Sequence, residues 1–143
     1  APTFHGAIDS LADLESDEVL HVAIANPEHA PYGAAAKEAL ERAGIWDRVS
    51  PRIVQGENIV QTLQLVQSGN AELGIVALSV ALGTPGARYT LLDPSLHTPL
   101  LQVAAVPASA EHPEEGGAFI AFVTGEGARP TMEKFGFQAP LAP

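Results

Sequence analysis

The junction Ala23-Ile24-Ala25-Asn26-Pro27-Glu28-His29-Ala30-Pro31-Tyr32-Gly33 constrains this chain most. An apolar run from Val19 to Ala25 stops at Asn26-Pro27. A second proline, Pro31, then opens a helix-like segment that continues to Ala43 and ends at Gly44. Proline suits the first helical position and glycine the position just past the end. The pattern predicts a buried strand, a short polar loop and a helix N-terminus. Such junctions are where α/β proteins hold ligands, because unpaired backbone N–H groups and the positive dipole end point outward.

The bulk numbers limit what that loop can serve. A chain of 143 residues, 46% hydrophobic and 17% charged, is long enough and apolar enough for one packed domain. It has no stretch near the roughly 20 apolar residues that a membrane helix needs. It has no cysteine, which excludes disulfides, thiolate metal sites and cysteine catalysis. Its net charge is −10, and its seven basic residues are scattered, so no nucleic-acid surface is expected. An acidic chain does not attract anions at long range, so an anion site here must work through short-range hydrogen bonds. The opening Ala1-Pro2-Thr3 fits the residues after a cleaved signal peptide or a cloning boundary, and contains nothing of the signal itself.

In chain order, Ser10 to Leu14 reads as one helical turn, Val19–Ala25 as a strand and Pro31–Ala43 as a helix. Ala34, Ala35, Ala39, Leu40 and Ala43 form its expected small-residue face. Ile45 to Pro51 is a connection and Arg52–Gln55 a short strand. A helix over Ile59–Gln67 follows, capped by Asn58, with Ile59, Leu63 and Val66 on one face. Glu72–Leu78, Arg88–Leu92 and Leu100–Val106 read as strands, with a turn at Gly83-Thr84-Pro85-Gly86. Residues 114–124 and 126–135 read as two helices carrying Phe119, Ile120, Phe122, Val123, Met132 and Phe135. The alternation predicts an α/β fold, a mostly parallel sheet flanked by helices.

Several of these segments together resemble the periplasmic molybdate-binding proteins of ABC importers, within the type II solute-binding family. Residues 25–33 look like that family's second-lobe anion loop, and Gly44-Ile45-Trp46-Asp47 like its helix exit. Gly56-Glu57-Asn58-Ile59 looks like its second anion loop, Gly69 to Val76 like the strand that follows, and Phe135-Gly136-Phe137 like its C-terminal end. The resemblance implies a type II periplasmic-binding-protein lobe over 1–113 and a C-terminal helical tail over 114–143. In the family these motifs follow a complete first lobe, so the resemblance implies that the first lobe is absent and half the site with it. The implied role is binding of molybdate or tungstate as the solute-binding component of an ABC transporter, in a truncated form. The implied ligand-binding residues are Tyr32 and Ile59, through their backbone amides. In some family members a tyrosine contacts the anion at the position of Ala77. No cofactor, catalytic residue or metal site follows, and the implied partners are the oxyanion and the transporter permease, in a periplasmic setting. The alternative is a stand-alone interaction or regulatory lobe that dimerises, or exchanges its C-terminal helices, and binds ligand weakly or not at all.

The remaining polar residues have plainer readings. Asn58 and Glu57 are capping residues, and Glu114-Glu115 follows the acidic preference of a helix N-terminus. His29 is a solvent-facing loop residue, and the five histidines have no metal-ligand spacing. Gly125-Glu126-Gly127 lacks a preceding strand, and no phosphate-loop or nucleophile-elbow pattern occurs. A third class, an enzyme on a related scaffold, therefore has no paired catalytic groups to support it.

Overall fold

The structure is a computed structural model that describes residues 1, 4–6 and 8–138. Pro2 and Thr3 of the opening, and Ala139-Pro140 of the tail, lie outside the described residues. The chain divides into two compact units, Ala1–Leu100 and Leu101–Pro143, where the sequence reading set the division after residue 113.

The first unit is built on strand β1, Val22–Ala25, all four of whose residues are buried. β1 pairs in parallel with β2, Ile53–Gly56, on one side and with β3, Leu73–Gly74, on the other. The sheet order is β2-β1-β3, so the buried apolar run sits at its centre. A central parallel strand is covered on both faces, which is why Val22 to Ala25 is apolar at every position and does not alternate. Helix α1, Pro31–Arg42, and short helix α2, Trp46–Val49, follow β1. Helix α3, Ile59–Gln67, follows β2, and α4, Leu78–Leu82, follows β3. This is the expected α/β lobe with a parallel sheet flanked by helices.

The helix ends obey the sequence signals. Pro31 opens α1, and Gly44, at φ +71°, ends it in the left-handed region open to glycine. Asn58 caps α3, its side chain accepting from Val60 N and Gln61 N. Ser10 caps a 3-10 turn at Leu11–Glu15, closed by the Asp13 carboxylate reaching back. The face that α1 buries is Gly33, Ala36, Ala39 and Leu40, whereas Ala34 and Ala43 are exposed. Helical rotation places Ala36, one residue further on than expected, against the sheet.

Four strand readings are corrected. Residues 19–21 lie outside β1, because the Glu72 carboxylate, not a neighbouring strand, accepts Leu20 N at 2.9 Å and His21 N at 2.7 Å. The third strand ends at Gly74, and after one more ladder bond, Ile75 N to Ala23 O at 2.9 Å, the chain turns into α4. Residues 88–92 and 100–106 pair with no strand among the described residues. β-forming side chains favour a strand only when a partner edge supplies the hydrogen bonds. The Ile45–Pro51 connection contains α2 and a 3-10 turn at Ser50–Arg52.

The second unit contains helices α5, Pro113–Thr124, and α6, Arg129–Lys134, which pack on each other. Gly116 of α5 faces Val106, whose Cγ2 would lie 3.0 Å from a Cβ placed there. Phe119 and Phe122 on α5 are 65% and 61% exposed.

Two glycines let the helices reach the strand ends. A Cβ on Gly33 would overlap the Ala25 carbonyl, and one on Gly56 would lie 2.6 Å from Thr62 N. Substituting either by alanine pushes a helix start off its strand. Gly33→Ala and Gly56→Ala are each expected to destabilise the chain by about 1–3 kcal/mol, read by chemical denaturation. Variants as stable as the parent would show that the close approach is not required.

Desolvation raises the carboxyl pKa of Glu72, while the N–H groups of His21, Glu72 and Leu20 lower it, and the net position is below the ordinary value. A carboxylate held low in the folded state stabilises above its unfolded pKa and loses that contribution as pH falls through the folded one. The thermal midpoint of the parent is therefore expected to fall further between about pH 5 and pH 3 than that of Glu72→Gln. Parallel pH profiles would remove this role from Glu72.

Candidate functional site

The C-terminal ends of β1 and β2 lie side by side, with Ala25 opposite Gly56. Asn26 N donates to Gly56 O at 2.8 Å and ties the two following loops together. Each loop runs directly into a helix, α1 or α3, so two helix N-termini start from adjacent strand ends. Parallel strands in a right-handed βαβ unit place both helices this way.

In the first loop, internal bonds occupy nearly every donor. Glu28 N donates to Asn26 Oδ1 at 2.8 Å, His29 N to Asn26 O at 3.3 Å and Ala30 N to Asn26 O at 2.9 Å. Gly33 N and Ala34 N both donate to Ala30 O. Pro27 and Pro31 have no N–H. Tyr32 N is left with no acceptor among the described residues.

The second loop repeats the pattern. Glu57 N donates to Gln61 Oε1 at 2.5 Å, and Val60 N and Gln61 N donate to Asn58 Oδ1 at 3.1 and 3.0 Å. Thr62 N donates to Asn58 O at 3.0 Å, and the fully buried Thr62 hydroxyl donates to the same oxygen at 2.9 Å. Asn58 N and Ile59 N have no acceptor among the described residues. The two residues singled out by sequence, Tyr32 and Ile59, thus carry open amides, one on each loop. Asn58 acts as the cap, as read from the sequence. Glu57 caps nothing with its side chain; its amide is the group engaged.

The positive charges of the first unit are all used elsewhere. Lys37 pairs with Glu41 at 3.7 Å and lies over the Trp46 ring, and Arg42 pairs with Glu38. Arg48 pairs with Glu15. Arg52 donates to the carbonyls of Leu14, Ser16 and Val19, and Arg88 to those of Phe4 and Gly6. No Lys or Arg side chain is bonded to either loop among the described residues. Uncharged N–H groups and the α1 and α3 dipoles are what the site offers an anion.

A cavity of about 720 Å³ in the first unit is lined mainly by residues outside the two loops. Tyr32 lines it, with Ala36, Leu63, Val66, Ile75 and Leu78, but Ile59 does not. Its walls are mostly apolar and suit no bare dianion, so volume does not locate the anion loops. Glu38 accepts Thr98 N at 2.7 Å and the Thr98 hydroxyl at 2.9 Å; these bonds hold its carboxyl below its ordinary range and pin residues 95–98 to α1.

Sequence reading missed Gln61, which occupies the Glu57 amide. The spacing Asn58…Gln61, cap and third helical residue, is the signal that points to it. It missed the Glu72 clamp and the Arg52 bridge, each of which joins residues tens of positions apart and leaves no local signal.

Comparison with known proteins fits this arrangement. The family described as bacterial extracellular solute-binding protein matches residues 2–138. The molybdate-binding protein ModA of Rhodobacter capsulatus is 30% identical over 130 residues, 91% of this chain and 52% of that protein. The molybdate-binding protein ModA of Azotobacter vinelandii is 32% identical over 133 residues, 90% of this chain and 52% of that one. The structure of the Azotobacter vinelandii periplasmic molybdate-binding protein superimposes with a TM-score of 0.84 at 26% identity, covering 96% of this chain and 62% of that one. The chain spans about half the length of the curated relatives it matches. With a parallel lobe, two tied helix-start loops and a family match over nearly all its residues, the chain belongs to the bacterial extracellular solute-binding proteins.

Proposed function

We propose that this chain is the anion-loop lobe of an oxyanion-binding protein that delivers molybdate or tungstate to an ABC importer outside the cytoplasm. The observation that carries the proposal is the pair of open amides, Tyr32 N and Ile59 N, on two loops tied by a 2.8 Å bond while most neighbouring N–H groups are spent. A tetrahedral dianion presents oxygens and no apolar surface. Neutral donors at helix N-termini satisfy it without a buried counter-charge. The named relatives that bind molybdate support that choice of anion.

Capture is non-covalent, with a second lobe closing on the anion and adding its own donors. Residues 1–113 would form the anion lobe and 114–143 a helical tail whose apolar side chains need a further domain to cover them. Magnitudes support this division. A charge-assisted hydrogen bond is worth about 1.5–3 kcal/mol. Two or three give roughly 3–9 kcal/mol, against an association cost of at least about 4 kcal/mol. The chain alone therefore binds no tighter than about 0.2 mM. Calorimetric titration with molybdate, tungstate and sulfate, on this chain and on a two-lobe form, tests it. The expected result is tight molybdate binding only with two lobes; sub-micromolar binding by this chain alone would refute the half-site reading.

One observation favours a second reading, a lobe that associates with a copy of itself and binds ligand weakly. Leu101 and Val103 are 71% and 86% exposed, alongside the exposed Phe119 and Phe122. Large apolar side chains left exposed in this number favour association. Light scattering at high concentration is then expected to give twice the monomer mass, and a monomer throughout would eliminate this reading.

A further inference from the structure

We propose that Gln61 is a positioning residue for the oxyanion loop, a role that rests on the oxyanion reading above. Its side-chain carbonyl accepts Glu57 N at 2.5 Å, one residue before the cap, while its own N–H is accepted by Asn58 Oδ1 at 3.0 Å. The Gln of a capping box reaches back to the cap residue's own N–H. Here it reaches one residue further and leaves the Asn58 amide open beside that of Ile59. The bond holds the N–H side of the Gly56–Glu57 peptide, whose carbonyl accepts Asn26 N, and so fixes the plane one residue before Asn58, whose backbone is extended at φ −150° and ψ 175°. Asn58 O is fixed in turn by both Thr62 N and the Thr62 hydroxyl. Gln61 before the cap and Thr62 after it hold the segment that presents the open amides of Asn58 and Ile59. Gln61 is itself exposed, so its bond is not needed to fill the core.

The test is an amide-resolved NMR titration of the full chain with sodium molybdate to about 50 mM, on the parent, Gln61→Leu and Gln61→Glu. In the parent, the Glu57 amide is expected to exchange more slowly than those of Asn58 and Ile59, and molybdate to shift Tyr32 and Ile59. Gln61→Leu should open the Glu57 amide and weaken molybdate about fivefold, with the thermal midpoint nearly unchanged. Gln61→Glu keeps an acceptor for Glu57 N–H but adds a negative charge. It should bind weakly at low salt and return to within about twofold of the parent at about 0.5 M salt, where that charge is screened. Gln61→Leu binding like the parent, or Gln61→Glu staying as weak as Gln61→Leu at high salt, would overturn the positioning role alone. A parent whose amides molybdate does not move would overturn the oxyanion reading, and this role with it.

Discussion

The side-by-side arrest of β1 and β2 governs the rest of the first unit. Ala25 stands opposite Gly56, and Asn26 N closes on Gly56 O at 2.8 Å, so both strands end at one level. Both helices must then start from that level, and each does so over a glycine that admits the backbone of the next element. A side chain at Gly33 or Gly56 would meet main-chain atoms, which cannot swing away as a flexible side chain does. Two close glycine contacts thus lie under the two loops whose amides are open. Close packing under the loops is what keeps the open amides of Tyr32 and Ile59 in register with each other.

Electrostatics sharpen this picture. In a chain with net charge −10 an arginine beside an anion site would offset the repulsion, yet each arginine and lysine of the first unit has another task. Arg52 and Arg88 together satisfy five backbone carbonyls and so bind loops that have no ladder of their own. The two loops proposed to hold the anion keep partial positive charge from backbone dipoles alone. That charge acts over about one helical turn and does not depend on a side-chain rotamer. Discrimination at such a site follows from the geometry of fixed N–H groups, since no mobile counter-charge adapts to the anion.

Much of this was legible in the sequence, and the failures share a cause. Pro31, Gly44 and Asn58 are local signals with local causes, and the elements they bound run as read. The strands assigned over 88–92 and 100–106 needed a partner edge, which is a tertiary fact. The apolar run over 19–21 suited a strand, but Ser16 O took the N–H of Val19 and a carboxylate more than fifty positions away took those of Leu20 and His21. Of the candidate site, Tyr32 and Ile59 could be named from the resemblance. That their amides, with that of Asn58, are open while those of Glu28, Ala30, Glu57 and Val60 are spent could not, because the spending depends on Gln61 and on the exact turn at Asn26.

The two units differ in how complete they are. In the first, Val19, Val22, Ile24, Leu40 and Val49 are fully buried, so its core closes on itself. In the second, Ala128 is the one buried hydrophobic among the described residues, while the apolar Leu101, Val103, Phe119 and Phe122 face solvent. Two helices of twelve and six residues cannot bury both faces of their apolar stripes against each other. The chain spans about half the length of the curated relatives it matches. The open amides at the helix starts and the exposed apolar side chains of α5 are separate features. Both are groups whose physical chemistry calls for a partner that these elements do not supply.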